Sequence, residues 1–169
     1  MERLTVSDLF ARRSIRQYTN EPVTEEQIER LLQAAMAAPS ANNRRPWHFV
    51  VATERETLDA LAETHPYARM LTQAPLCIVP CGDPAASEHY WVQDLAAATE
   101  NILLAAVGLG LGAVWCGVEP RAERIEAARG VLGIPPGIVP FCYIAIGHPA
   151  EEKEPRTQYD AARVHREGW

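Results

Sequence analysis

Hydrophobic residues recur at helical spacing in several stretches of the chain, which predicts helices there. The clearest of these helices follows a capping box that begins at Thr24 and carries its apolar residues on one face. It is predicted to end at Ala38, because Pro39 disfavours the α conformation of the residue before it. The predicted helices cover residues 8–11, 25–38, 54–63, 67–72, 90–108 and 120–129.

Short runs of apolar residues between these helices predict buried strands at residues 47–52, 76–81, 113–118 and 139–146. Pro80 has no N–H to donate, so it limits its strand to an edge of the sheet or to a position near the strand end. The order of the elements predicts an α+β fold or a three-layer αβα sandwich. Residues 1–169 contain no internal repeat and are expected to form one domain.

The helix predicted at residues 90–108 is apolar nearly all round in its second half, which requires burial on every side. We expect one side to lie against the sheet and the other against a second subunit. The alternative is a helix covered entirely by its own chain. Residues 148–169 are polar and lack a regular period before Asp160, so this tail is expected to wrap over another surface.

Composition excludes several classes of protein. The net charge of −6 argues against nucleic acid as a partner, because phosphate binding requires a basic face. Residues 102–118 are uncharged but interrupted by glycines, so no membrane span is predicted. The chain opens without a secretion leader, which favours the cytoplasm. Free thiols are expected there, because no CxxC pair or zinc spacing occurs among Cys77, Cys81, Cys116 and Cys142.

The glycine-rich segment 108–113 matches G-x-G-x-x-A, but its context differs from that of a dinucleotide-binding fingerprint. Such a fingerprint follows a strand and opens a helix, whereas here a predicted helix comes first and a strand follows. The glycines are therefore interpreted as a left-handed helix end and a tight turn. No metal site is predicted either, because no i, i+4 pair occurs among His48, His65, His89, His148 and His165.

Two polar segments carry the candidate chemistry. Residues 38–51 run from the end of a helix through a loop rich in Pro, Ser and Asn into a strand. A loop with one end on a helix and the other on a strand is well placed to hold a ligand. Arg12, Arg13 and Arg16 surround Ser14 in an acidic chain, which favours binding of a phosphate or another anion. Taken alone, residues 38–51 have the alternative of an ordinary αβ connection. The arginine cluster, taken alone, has the alternative of a solvated basic turn.

Taken together, the two segments resemble the nitroreductase-like flavoproteins. Arg12, Ser14 and Arg16 fill that family's R-x-S-x-R/K motif. The second motif, P-S-x-x-N-x-Q-P-W, is filled by Pro39, Ser40, Asn43, Pro46 and Trp47, although Arg45 replaces the usual Gln. The resemblance covers nearly the whole chain. It implies a three-layer αβα sandwich with a central mixed sheet, assembled as a homodimer with FMN at the interface and residues 148–169 wrapping the dimer.

The resemblance also implies roles for individual residues around FMN. A backbone N–H of Cys116 or Gly117 would donate to flavin N5, and the missing Cβ of Gly117 lets the backbone approach a flat ring. No side chain is assigned a catalytic role. The implied set comprises Arg12, Arg13, Ser14 and Arg16 from phosphate to pyrimidine, Arg156 at the phosphate, Pro39, Ser40 and Ala41 from the other subunit, Asn43 at the polar edge, and Trp115, Cys116 and Gly117 along the ring.

By this resemblance the protein is an FMN-dependent oxidoreductase. NADH or NADPH would deliver hydride to flavin N5, and a small-molecule acceptor such as a nitroaromatic or a quinone would then take the electrons. Two alternatives stay open, because one fold can serve several functions. One is another flavin-dependent reaction, such as dehalogenation or flavin destruction, and the other is a non-enzymatic flavin-binding dimer.

Overall fold

Residues 5–169 are described by a computed structural model, in which helices pack on an antiparallel sheet. The helices are α1 (Val6–Ala11), α2 (Glu25–Met36), α3 (Arg55–Glu63), α4 (Trp91–Gly108) and α5 (Ala122–Leu132). The strands are β1 (Trp47–Ala52), β2 (Leu76–Gly82), β3 (Gly112–Gly117), β4 (Val139–Pro140) and β5 (Cys142–Gly147). Their order across the sheet is β1-β2-β5-β3, and β4 pairs with the end of β2.

Local signals account for the ends of the helices. The Thr24 Oγ1 accepts a hydrogen bond from the Gln27 N–H at 3.2 Å, and the Gln27 side chain accepts one from the Thr24 N–H at 2.9 Å. This confirms the capping box at the start of α2. Helix α5 starts and ends later than predicted, because Gly133 turns the chain with a φ of 65°.

The expected mixed sheet is corrected to an antiparallel one. Every pairing between the strands named above is antiparallel. The parallel contribution in the described chain is an isolated bridge between Ser14 and Ala113. The segment after α1 meets the edge of β3 there and does not continue as a regular strand, so it adds no parallel strand to the sheet.

Pro80 lies inside the sheet, so the edge position considered from the sequence is wrong. Strand β2 pairs with β1 on one side and with β5 and β4 on the other. Between those two partners, the Phe141 N–H donates to the Pro80 carbonyl at 2.8 Å. The missing N–H of Pro80 therefore falls where β2 changes partner, and the strand predicted at residues 139–146 is divided at the same point.

Buried side chains form two clusters on opposite faces of the sheet. Along β2, Cys77 and Cys81 belong to the cluster that includes residues of α3 and α5, whereas Ile78 belongs to the cluster with α2 and α4. The two cysteines thus share one face, as their spacing predicts. All four cysteines are free and buried.

Helix α4 is covered by its own chain on one side only. Leu95 and Ile102 are fully buried in the cluster against the sheet. Val92 is 38 % exposed, and Leu104 and Val107 are only partly buried. The alternative of a helix covered entirely by its own chain is therefore wrong.

The C-terminal tail has two parts. Residues 149–156 run beside the N-terminal segment, where the Ala150 N–H donates to the Gln17 carbonyl at 2.9 Å and the Arg156 N–H to the Phe10 carbonyl at 3.1 Å. Residues 157–169 are all exposed, and Trp169 is fully so. The described chain thus offers the second part no surface to pack on.

Candidate functional site

The candidate site is built on β3, which forms one edge of the sheet. In an antiparallel strand, the backbone groups of successive residues point alternately to the two sides. The Val118 N–H donates to the Phe141 carbonyl at 3.1 Å, on the β5 side. Gly117, one residue earlier, therefore directs its N–H and C=O to the open side, and Cys116 directs its own toward β5.

The other end of this edge is covered by the segment that follows α1. The Ile15 N–H donates to the Ala113 carbonyl at 3.0 Å, beside the bridge between Ser14 and Ala113. Ala113 and Gly117 share the same alternation, so this bond supports the outward direction of Gly117. Among the residues described, the edge is covered at Ala113 and open at Trp115 and at the N–H of Gly117.

A cleft of about 570 Å³ lies beside the open part of β3. Arg16, from the first sequence motif, lines it together with Trp115, Cys116 and Gly117. The fold thus joins two segments that lie about a hundred residues apart in sequence. Arginines outnumber carboxylates around the cleft, which is lined by Arg16, Arg121, Arg124 and Glu119.

The Gly117 carbonyl accepts hydrogen bonds from two side chains, His65 Nε2 at 2.8 Å and Arg124 Nη1 at 3.0 Å. A Cβ on Gly117 would lie 3.8 Å from the Glu119 carbonyl oxygen, which is an ordinary contact. The fold of the chain itself therefore does not require glycine at this position. What glycine does provide is free space above the open backbone edge.

The Cys116 side chain is packed inside the protein. Its Sγ lies 3.4 Å from the Tyr67 carbonyl oxygen and 3.9 Å from Met70 Sδ. Burial raises the pKa of the Cys116 thiol to about 11, despite the lowering effect of nearby arginines. The thiol is therefore protonated at neutral pH, a state in which cysteine is a poor nucleophile.

The arginines of the first motif point to different places. Arg16 lines the cleft beside β3. The Arg12 Nε lies 3.5 Å from Glu100 Oε1 on α4. Arg13 donates to the Glu154 carbonyl and lines a separate cleft of about 230 Å³. The structure therefore does not bring Arg13 together with Arg16.

The first part of the tail holds the first motif in position. Lys153 Nζ donates to the Ser14 carbonyl at 2.6 Å and lies 3.1 Å from Glu151 Oε1. That carboxylate oxygen also accepts from the Arg16 N–H at 2.5 Å, and this bond lowers the pKa of Glu151. Arg156 follows three residues after Lys153 with an exposed side chain.

The second motif lies away from the cleft beside β3. None of Pro39, Ser40, Ala41 and Asn43 lines that cleft. Ser40 Oγ accepts from the Arg45 N–H at 3.0 Å. Asn43 and Arg45 have positive φ values of 54° and 49°.

The second motif is anchored by Asp94 of α4, which is buried. Asp94 Oδ1 accepts from the Ala41 N–H at 2.9 Å, and Oδ2 accepts from Ser87 Oγ at 3.2 Å. A buried carboxylate needs such partners to offset the loss of water. Asp94 therefore fixes the start of the loop relative to α4.

Sequence reasoning missed Asp94, His65 and Arg124. His65 and Arg124 act on a backbone carbonyl, and no sequence pattern indicates which carbonyl a distant side chain will contact. Asp94 could have been identified from the sequence. It lies near the start of a nearly apolar helix, and a carboxylate is buried in such a helix only when it has hydrogen-bond partners.

Other kinds of site receive no support. Residues 5–169 contain no cluster of His, Cys, Asp and Glu that could hold a metal. No helix among them is long and apolar enough to span a bilayer. Helix α4 ends at Gly108, Gly110 turns with a φ of 71°, and β3 follows, so the helix-first order predicted for the glycine segment is confirmed.

Comparisons with known proteins agree with this architecture. The Nitroreductase family profile matches residues 9–65 and 61–148. A protein of Archaeoglobus fulgidus, provisionally named NADH dehydrogenase/NAD(P)H nitroreductase, is 48 % identical over an alignment of 167 positions, and the match covers 95 % of this chain and 96 % of that protein.

Solved structures show the same similarity. A structure from Parabacteroides distasonis, of a protein provisionally given the same name, has a TM-score of 0.95 at 43 % identity and covers 99 % of this chain and 100 % of that one. A provisionally named nitroreductase from Desulfovibrio desulfuricans, solved in complex with FMN, has a TM-score of 0.84 at 33 % identity. That match covers 100 % of this chain and 99 % of that one.

The antiparallel sheet with helices packed on it defines an α+β protein, and the basic cleft at the open edge of β3 is its candidate ligand site. The chain belongs to the Nitroreductase family. The resemblance drawn from Arg12, Ser14, Arg16 and the second motif is thereby confirmed.

Proposed function

We propose that the protein is an FMN-dependent NAD(P)H oxidoreductase that passes electrons to a small-molecule acceptor such as a nitroaromatic or a quinone. The observation that carries this proposal is the open edge at Gly117, which faces the cleft lined by Arg16. The name of the A. fulgidus relative and the FMN complex of the D. desulfuricans relative support it.

The residues around the cleft fit a flavin ring. Gly117 directs an N–H into the open side and leaves room for a flat group to approach. Because the N–H of Cys116 points toward β5, we assign the donor to flavin N5 to Gly117. Trp115 would lie along the ring with it. Arg16 supplies a cation for the pyrimidine end.

The phosphate end of FMN is assigned to Arg12 and Arg156, and the ribityl chain to Ser14. Ser14 is held at the edge of β3 by its bridge to Ala113, and Lys153 fixes its carbonyl. Arg13 is left out of the proposed set, because it lines another cleft.

Bound FMN would supply the redox chemistry, accepting a hydride from NADH or NADPH and passing the electrons on. The protein supplies position and charge. The Arg16 guanidinium favours negative charge beside it, and Coulomb attraction is stronger in a partly dry cleft than in water. The Gly117 N–H offers a donor whose direction is set before the ligand arrives.

We further propose that two chains form a homodimer, each a single three-layer αβα domain over residues 1–169. Two observations support this proposal. One apolar side of α4 is only partly buried by its own chain, and residues 157–169 are exposed. In the dimer, Pro39, Ser40, Ala41 and Asn43 would complete the partner's flavin site. Free buried thiols support a reducing location, for which we propose the cytoplasm.

Identification of the cofactor tests this function. Protein purified after reconstitution with flavins should be yellow, and the released cofactor should have the mass of FMN. A protein that retains no flavin after reconstitution would end the proposal.

The assembly is predicted to be a dimer that loses cofactor when it dissociates. Sedimentation equilibrium should give a dimer, and removal of residues 157–169 should weaken both dimerisation and FMN retention. A monomer that still holds FMN would contradict the shared site.

Arg156→Ala is expected to weaken FMN binding by about 10- to 100-fold, because a hydrogen bond to a charged group is worth roughly 1.5–3 kcal/mol. Fluorescence titration of the apoprotein measures this change. Arg30→Ala is the matched control, since Arg30 lies on α2 and bonds only Gln33 among the described residues. Equal affinity of both variants would remove Arg156 from the site.

Cys116→Ala should keep the yellow colour and most of the NAD(P)H oxidation rate. The Cys116 thiol is buried and protonated, and its backbone faces β5, so its side chain has no part in the proposed chemistry. Steady-state turnover of the variant checks this expectation. Normal FMN binding with turnover abolished would instead make the thiol catalytic.

A further inference from the structure

We propose that His65 and Arg124 are positioning residues that hold the Gly117 carbonyl and thereby fix the peptide that follows Gly117, next to its outward N–H. The proposed contact of that N–H with flavin N5 rests on the proposed function. The restraint itself is a property of the protein alone and can be tested without any ligand.

The His65 ring is oriented by two hydrogen bonds at its two nitrogens. Its side chain is buried, and Nδ1 accepts from the Tyr67 N–H at 3.0 Å. A nitrogen that accepts carries no proton, so in the neutral ring the proton lies on Nε2. Nε2 then donates to the Gly117 carbonyl at 2.8 Å.

Arg124 donates to the same carbonyl oxygen, with Nη1 at 3.0 Å. The two donors lie 3.1 Å apart, and neither can accept from the other. Burial lowers the pKa of His65, and the adjacent Arg124 charge lowers it further. Two tyrosine rings also lie near the His65 ring, those of Tyr67 and Tyr143, each with its ring centroid 6.0 Å away.

Gly117 needs such restraint because the regular ladder between β3 and β5 ends at this residue. The Val118 and Glu119 N–H groups both donate to the Phe141 carbonyl, which forms a β-bulge directly after Gly117. Glycine is also the residue with the greatest backbone freedom. The β5 ladder holds the chain before Gly117, and the two side-chain donors hold its carbonyl after it.

The restraint connects the fold to the proposed chemistry. A donor whose direction is fixed in advance needs no reorganisation when a ligand binds. Arg124 also brings a positive charge next to the peptide that would face flavin N5. Both effects predict that loss of these side chains weakens binding at the edge of β3.

The first test uses the apoprotein. Backbone 15N relaxation should show an ordered Val118 amide, which shares a peptide plane with the Gly117 carbonyl, in the wild type and a more mobile one in His65→Leu and in Arg124→Gln. His65→Gln should retain order, because its amide can place a donor near the position of Nε2. A Val118 amide that is equally ordered in all four proteins overturns the proposal, as does one that is mobile already in the wild type.

The second test uses the FMN-loaded protein. His65→Leu should bind FMN about 10-fold more weakly than wild type, and His65→Gln should recover most of that loss. Arg124→Gln should lower the flavin midpoint potential by more than Arg121→Gln does. Arg121 lines the same cleft with the same charge, but its side chain has no bond to Gly117. Equal shifts in the two arginine variants would overturn the role of Arg124.

The positioning role and the proposed function can be refuted independently. If wild-type protein binds no FMN, the proposed function fails, while the relaxation measurement still decides the role of the two side chains. If FMN binds normally and every variant matches the wild type, the positioning role fails and the proposed function stands. Arg124 is only partly buried, so its variant is expected to fold even if His65→Leu does not.

Discussion

Gly117→Val is expected to leave the chain folded and to weaken FMN binding by roughly 100-fold. A β-branched side chain fits an edge strand, and the nearest neighbour of a Cβ at this position is 3.8 Å away. The new methyl groups would occupy the space above the edge, where the flavin ring is proposed to lie. Overpacking of this kind costs about 1–3 kcal/mol, which is up to about 100-fold in affinity.

The measurement pairs an FMN titration of the apoprotein with urea unfolding of the same sample. Gly117→Ala and Gly130→Ala form a matched pair, because a Cβ at Gly130 meets no atom within 4 Å. The first should lose affinity for FMN and the second should not. Wild-type affinity in Gly117→Val would show that the ring does not lie at this edge.

Asp94→Ala is expected to lower the free energy of unfolding by about 3 kcal/mol. The substitution leaves the Ala41 N–H and the Ser87 hydroxyl without their acceptor, and each unpaired buried group costs about 1–3 kcal/mol. The loop that begins at Ala41 would also lose its attachment to α4. Urea denaturation followed by circular dichroism measures the change.

Asp83→Ala provides the matched control for this stability prediction. The Asp83 Oδ1 also accepts two hydrogen bonds, from the Ala85 and Ala86 N–H groups, at 2.9 and 3.3 Å. These bonds lie in a turn near the surface, where water can replace the carboxylate, so a loss below about 1 kcal/mol is expected. If Asp94→Ala lowers the free energy of unfolding by an equally small amount, the buried position of Asp94 does not make its hydrogen bonds more stabilising than those of Asp83.

Sequence patterns predicted the elements of the fold well because each depends on neighbouring residues. The capping box at Thr24 and the apolar run of β1 were sufficient on their own. The position of Pro80 was not predictable in this way. Whether a proline lies at an edge depends on which strands pair beside it, and those strands are distant in the sequence.

The incomplete cover of α4 by its own chain was anticipated for a similar local reason. A helix apolar nearly all round must find cover on both sides, and its own chain covers only one of them. By contrast, the mixed sheet came from family resemblance alone, and the short bridge at Ser14 is the only parallel pairing in the described residues.

The candidate site was also predictable only where it depends on neighbouring residues. Motif spacing identified Arg16 and the segment that ends at Gly117, which the fold brings to one cleft. Spacing could not separate Arg13 from Arg16, because the direction of each side chain depends on how the segment meets β3. It also could not choose between Cys116 and Gly117, since that choice depends on the hydrogen-bond register with β5.

Anaerobic reduction of the FMN-loaded protein by NADH or NADPH tests the central claim most directly. The account predicts that one of these donors bleaches the flavin absorbance at a saturable rate, and that a small-molecule acceptor such as a quinone restores the colour. A protein that binds FMN tightly but is bleached by neither donor would contradict the proposed oxidoreductase and leave a flavin-binding protein without this activity.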